Sequence, residues 1–122
     1  MPVRSLNSSV LKWPDQNTVD QAVRSWSIEQ AQHRPELKRL GYFGSYARGN
    51  WGVGSDLDLI AVVDDTREPF ERRLLNWDLH DLPVPADILV YTFMEWKELQ
   101  KRNDKFSRML NSEVIWTYSR DT

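Results

Sequence analysis

Residues 44–59 constrain this chain more than any other stretch. They read Gly44-Ser45-Tyr46-Ala47-Arg48-Gly49, a loop over residues 50–55, and then Asp56-Leu57-Asp58-Leu59. Glycine and a hydroxyl after a short apolar run make a place where backbone N–H groups can face phosphate oxygens. Asp56 and Asp58 stand two apart in a run that reads as a strand, so they share one face while Leu57 and Leu59 point to the other. Two like charges on neighbouring same-face positions repel, and a folded site keeps both ionised only where a cation compensates. The plain alternative for the pair is a solvated strand face.

The rest of the chain surrounds this segment with short elements. At 122 residues there is room for one domain with a single core. Residues 1–17, interrupted by Pro2 and Pro14, read as an irregular lead-in. Thr18 with Gln21 fits a capping box, and Val19, Ala22, Val23 and Trp26 follow at helical spacing, which predicts a helix to about His33 that Pro35 stops. A first strand is expected over residues 37–43, weakened by Lys38, Arg39 and Gly41. A short helix over 45–48 ends at Gly49. Residues 56–63 form the clearest strand. Pro69 then opens a helix carrying Phe70, Leu74, Leu75 and Trp77 to about Leu79. A third strand covers 86–91, Thr92 caps a helix with Phe93, Trp96 and Leu99 on one side, and a second helical piece carries Phe106, Met109 and Leu110. Residues 113–118 close the chain as a last strand. This alternation predicts an α/β (α+β) fold, a small mixed sheet flanked by helices.

Composition narrows the chemistry. The net charge of −2 and a pI near 5.7 provide no global basic field, which argues against direct nucleic-acid binding. The absence of cysteine removes disulfides and thiolate metal sites and suits a cytoplasmic protein. No apolar run is long enough to span a membrane. Along a strand the Cα atoms of Asp56 and Asp58 lie about 6–7 Å apart, so their carboxylates can converge on one metal, or on two about 3.5–4 Å apart. Oxygen-only ligands favour Mg²⁺ or Mn²⁺ over zinc. A third carboxylate from an adjacent strand would complete such a site, and Asp87 is the only acid in the apolar run 84–91.

Gly44-Ser45, ten residues and then Asp56-x-Asp58-Leu59 resembles the signature of the minimal nucleotidyltransferases within the DNA polymerase beta superfamily. Arg48-Gly49 and Ser55 match the usual surroundings, Asp87 lies where that family places its third carboxylate, and the resemblance spans roughly residues 37–118. It implies that Asp56 and Asp58 hold two Mg²⁺ ions that bind a nucleoside triphosphate. Asp87 would complete the second metal site and serve as general base. Gly44, Ser45 and Arg48 would grip the triphosphate. The implied reaction transfers a nucleoside monophosphate and releases pyrophosphate. Small members of the family are commonly antitoxins of HEPN-type ribonuclease toxins, so the resemblance implies AMP transfer from ATP to a tyrosine of such a partner, in a hetero-oligomer. Two alternatives stand beside it: a binding module that neutralises its partner by covering it, and a transferase acting on a small molecule such as an aminoglycoside. The first strand is less aliphatic than the family norm, and nothing after Tyr118 would form the extra domain of larger relatives.

Other residues have plainer readings. Arg48 is either a phosphate ligand or the partner of a scaffold acid. Trp51 either stacks on a nucleobase or packs on the protein. His33 and His80 stand alone as surface residues. Lys97, Lys101, Arg102, Lys105 and Arg108, diluted by Glu95, Glu98 and Asp104, read as a solvated helix face, with a contact surface for an acidic partner or RNA as the alternative. Phe93, Trp96, Phe106 and Met109 read as core.

Overall fold

Four strands make one mixed sheet in the order β3-β2-β1-β4: β1 (Leu37–Phe43), β2 (Leu57–Val63), β3 (Ala86–Thr92) and β4 (Ile115–Ser119). The structure, a computed structural model, describes residues 13–120. β1 runs antiparallel to both its neighbours, while β2 and β3 are parallel. A parallel pair needs a crossover, and residues 64–85 supply it.

β2 is buried on both faces, which is why it reads as a nearly continuous apolar run. Leu57, Leu59, Ala61 and Val63 enter one core with Val19, Val23 and Trp26 of helix α1 (Gln16–His33). Ile60 and Val62 enter the other with Trp96, Leu99 and Leu110. Helix α2 (Ser45–Arg48) follows β1. Trp96 and Leu99 come from helix α3 (Phe93–Arg102), and Leu110 from helix α4 (Lys105–Glu113). By strict alternation Asp58 belongs to the α3/α4 face, one step before that helical cover begins. Among the described residues no helix is long and apolar enough to cross a membrane.

α1 begins earlier than the Thr18 box predicts. Asp15 is its N-cap, its side chain accepting from the Thr18 N–H at 2.9 Å. Asp15, three residues before Thr18, accepts the Thr18 N–H that the expected box would have given to the Gln21 side chain. Residues 16 and 17 are thus helical rather than irregular, and residues 1–12 of the expected lead-in lie outside the described residues. The helix is tied to the sheet at β1 and at β4. The Tyr42 hydroxyl donates to Asp20 at 2.7 Å. Thr117 Oγ1 donates to the Leu40 carbonyl at 3.0 Å, so the buried Ser27 hydroxyl is the donor in its 2.6 Å bond to Thr117.

The polar residues of β1 find apolar uses. Lys38 lies over the Phe93 ring at 4.7 Å and Arg39 over Trp116 at 5.5 Å, in cation–π geometry. Gly41 lets β4 close in: a β-carbon there would lie 2.5 Å from the Ile115 carbonyl oxygen, beside a register shift between Leu40 and Gly41.

The expected helix from Pro69 to Leu79 is instead a 3-10 helix, Phe70–Asn76, with Pro69 as the cap outside it. Three residues per turn place Phe70 and Arg73 on one side, where both meet β3. Phe70 packs on Tyr91 at 5.2 Å, and Arg73 donates to the Val90 carbonyl at 3.0 Å. The chain then extends so that Trp77 packs against Trp26 at 6.0 Å and under Arg34. Thr92 caps α3 in a full capping box with Glu95, as its sequence position predicts. Phe93 departs from expectation: at the first position of α3 it is 36% exposed, its ring lying between Lys38 and Lys97.

Candidate active site

The acidic pair is placed by the alternation of β2. Leu57 and Leu59 are fully buried, which turns Asp56 and Asp58 to the opposite face; Asp58 is half-buried and Asp56 exposed. In the parallel β2–β3 ladder Asp58 is the register partner of Asp87, and Leu59 of the buried Ile88. Paired residues on adjacent strands share a face, so Asp87 stands beside Asp58. Asp87 is exposed, so the strand carries no desolvated charge there.

Electrostatics record this gathering. The Asp58 carboxyl is held above its ordinary value by burial first and by the negative charges of Asp56 and Asp87 next, with Arg48 pulling the other way. Oxygen-rich, like-charged donors suit a hard divalent cation. Yet among the described residues no three His, Cys, Asp or Glu side chains are drawn around one point. Asp87 Oδ1 instead accepts from the backbone N–H of Ile88 at 2.9 Å.

The turn before α2 is shaped by Gly44. Its φ of +82° disfavours any L side chain, and a β-carbon there would collide with Asp58 Oδ2. Because Phe43 pairs with Asp58 across β1 and β2, the backbone leaves β1 beside that carboxylate. The Gly44 carbonyl accepts from the N–H groups of Ala47 and Arg48, both at 3.0 Å, and Gly49, at φ +86°, ends the helix. Gly44 is buried, Ser45 half-buried and Arg48 exposed.

Of the two readings of Arg48, the structure shows the scaffold pairing. Its Nη1 reaches Glu113 Oε1 at 3.2 Å and Oε2 at 3.4 Å. The same Glu113 Oε1 accepts from the Gly44 N–H at 3.4 Å. Glu113, treated in the sequence only as the start of the last strand, ends α4 instead, and β4 begins at Ile115. A signal for it was present: an acid in the last turn of a helix with no basic residue there opposes the helix dipole.

Residues 50–55, which join the motif halves, are held in place by aromatic and polar contacts. Trp51 stacks on the buried Tyr46, with ring centroids 5.8 Å apart and planes 8° from parallel. Tyr46 Oη accepts from Trp13 Nε1 at 2.7 Å and donates to the Ser55 carbonyl at 3.4 Å. Ser55 Oγ accepts from the Gly52 N–H at 2.8 Å. Trp51 thus packs on the protein.

The basic stretch and the two histidines follow their plainer readings. The charges of α3 and α4 pair locally, as in Lys101 with Glu98 at 3.5 Å and Arg102 with Asp104 at 2.6 Å. His33 contacts the Glu29 carbonyl at 2.9 Å, and the exposed His80 contacts Asp78 at 2.8 Å. A groove of about 840 Å³ lined by Leu74, Leu75, Trp77, Leu82 and Pro83 ends at Pro85, whose carbonyl accepts from the Leu57 N–H at 2.8 Å.

Known proteins share this architecture. A crystal structure of a protein from Sulfolobus solfataricus, described as a candidate nucleotidyltransferase, superposes with a TM-score of 0.60 at 21% identity, covering 86% of this chain and 84% of that one. A toxin–antitoxin structure with AMP-PNP gives 0.55 at 20% identity, and a mutant of the toxin–antitoxin MntA-HpeT gives 0.53 at 17%. Each of these two alignments covers 80% of this chain and 74% of the other. At these identities the likeness is one of fold, and it matches the small mixed sheet expected of a polymerase-beta-like nucleotidyltransferase. No curated protein matches. The nucleotidyltransferase domain family matches residues 25–111, from the middle of α1 into α4. With well over half its length inside that match, the chain belongs to the nucleotidyltransferase domain family.

Proposed function

We propose that this chain is a divalent-metal-dependent nucleotidyltransferase that moves AMP from ATP to a tyrosine of a HEPN-type ribonuclease toxin and so silences it. The observation that carries the reading is the register match of Asp58 with Asp87, on the same face as Asp56 and against the bare backbone of Gly44. Family membership supports transfer chemistry. The toxin–antitoxin structures of similar fold, one with AMP-PNP, support the partner class and the nucleotide.

In this reading Asp56, Asp58 and Asp87 would hold two Mg²⁺ ions, for which Mn²⁺ could substitute. Such ions neutralise the charge that builds on the phosphates during in-line displacement. Gly44, Ser45 and Arg48 hold the triphosphate through backbone N–H, hydroxyl and guanidinium donors. Asp87 accepts the proton of the tyrosine hydroxyl as its oxygen attacks the α-phosphorus. The bond from that phosphorus to the bridging oxygen breaks, and pyrophosphate leaves. Holding the two reactants in line supplies much of the rate.

A second reading, inhibition by binding alone, draws on the spread carboxylates and on exposed Leu75 beside the 840 Å³ groove. One experiment separates the two. A co-expressed HEPN-type toxin is incubated with this protein, ATP and Mg²⁺, and its intact mass is measured beside an Asp56→Asn, Asp58→Asn control. Gain of one or more AMP units with wild type alone supports transfer. An unmodified toxin inhibited equally by both forms overturns it in favour of binding.

A further inference from the structure

Glu113 occupies a place that the proposed chemistry reserves for an anion. Its carboxylate accepts from both the Gly44 N–H and Arg48 Nη1, two of the three groups assigned above to the triphosphate. These contacts span 69 and 65 residues of sequence. The helix that carries Glu113 does not favour an acid there: it is the last residue of α4, in a turn with no basic residue, at the negative end of the helix dipole. The Glu113 side chain is only 19% exposed, whereas that of Arg48 is 45% exposed. What compensates a partly desolvated carboxylate at that position is the pair of donors on the Gly44 turn. The distances, 3.2 to 3.4 Å, are long for charge-assisted bonds, which usually run about 2.7–2.9 Å. The carboxylate therefore fills the position without gripping it.

We propose that Glu113 is a resident anion: it holds the Gly44 and Arg48 donors in place when no nucleotide is bound, and it gives them up to a phosphate oxygen when a triphosphate enters. The inference rests on the reading of the site as triphosphate-binding. A carboxylate is a usable stand-in because it offers a planar pair of acceptors to the same donors that serve a phosphate. Exchange costs the protein one anion contact and returns one, so the turn keeps its shape in both states. The consequence is that Glu113 competes with the nucleotide, and removing its charge tightens binding of the phosphate chain.

The test uses inorganic tripolyphosphate with Mg²⁺, titrated calorimetrically into wild type, Glu113→Gln, Arg48→Gln and the double variant. Glu113→Gln should bind about threefold more tightly than wild type, the scale of an exposed ion pair. In the Arg48→Gln background the gain should shrink, because the contested donor is gone. Should Glu113→Gln melt early, Glu113→Asp keeps the charge but draws it back from the donors, and it should bind more tightly than wild type. On wild type itself, the carbon-13 signal of the Glu113 carboxyl should move saturably with tripolyphosphate. Equal or weaker binding by Glu113→Gln, or a Glu113 signal that stays put while tripolyphosphate binds, overturns the inference and leaves the triphosphate site standing. Absence of binding in every form removes the site reading itself, and the inference with it.

Discussion

At the C-terminal end of β3, the guanidinium of the buried Arg73 donates to the Glu68 carbonyl at 2.8 Å, to the Val90 carbonyl at 3.0 Å and to both Glu95 oxygens at 2.6 and 3.1 Å. At the N-terminal ends of the same parallel strands, Asp58 faces Asp87 with Asp56 close by, and Arg48, the cation within range, is bonded to Glu113. The Glu95 carboxyl is lowered, chiefly by its hydrogen bonds from Arg73; the Asp58 carboxyl is raised, by burial and by its acidic neighbours. Charge that serves the fold has been paired inside the fold. Charge left in conflict by the scaffold is what a bound cation can resolve, and perturbed groups of this kind concentrate at working sites.

The sharpest way to break that contrast is Asp58→Asn. Transfer to a partner should drop by about 10²–10³-fold or more, the scale of removing one preorganised electrostatic group. The same substitution should raise the melting temperature of the metal-free protein by roughly 2–5 °C, because a like-charge conflict disappears. A fall in both activity and melting temperature would mean that Asp58 is structural.

Arg73→Ala attacks the other end. It takes the guanidinium from the Val90 carbonyl and from Glu95, which keeps only the Thr92 N–H, and should cost about 2–4 kcal/mol of stability in denaturant titration. Its effect on nucleotide affinity should be small if the two ends are independent. Gly44→Ala acts on the site's backbone. A side chain at φ +82° that also meets Asp58 should cost about 1–2 kcal/mol and weaken triphosphate binding together with it. Unchanged melting and affinity would show that the turn has more room than its geometry allows.

The smallest effect is on pH dependence. The folded Glu95 carboxyl lies below its ordinary value of 4.5, so its contribution is complete above that value and is lost as pH falls through the folded one. The folded Asp58 carboxyl lies above its ordinary 3.8, so its ionisation removes stability as pH rises from 3.8 through the folded value. Acidifying the metal-free protein from neutrality should first raise the melting temperature slightly and then lower it. In Asp58→Asn only the fall should remain, and in Arg73→Ala the fall should be shallower.

Much of this arrangement is legible in the chain where the interactions are local. Strand Leu37–Phe43 and helix Ser45–Arg48 appear where expected, and Thr92 caps its helix. The same-face placement of Asp56 and Asp58 needs only the two-residue repeat of a strand. The 3-10 helix at Phe70–Asn76 was not legible. Its winding answers to Tyr91 and Val90 on a strand formed later in the chain, and local spacing carries no record of them. Nor did the spacing show Phe93 to be exposed, since its neighbours Lys38 and Lys97 come from two different elements.

What the amino-acid order determined alone is therefore a matter of periodicity and covalent neighbours: a glycine turn, an alternating acidic strand, caps and breaks. Only the tertiary structure decided that Asp87 registers with Asp58, that Arg73 is satisfied by Glu95, and that Glu113 sits on the donors of Gly44 and Arg48. Each of these joins residues far apart in the chain. A single residue of slip in β3 would turn Asp87 to the other face, and it is the burial of Ile88 and Val90 in the α1 core that forbids the slip.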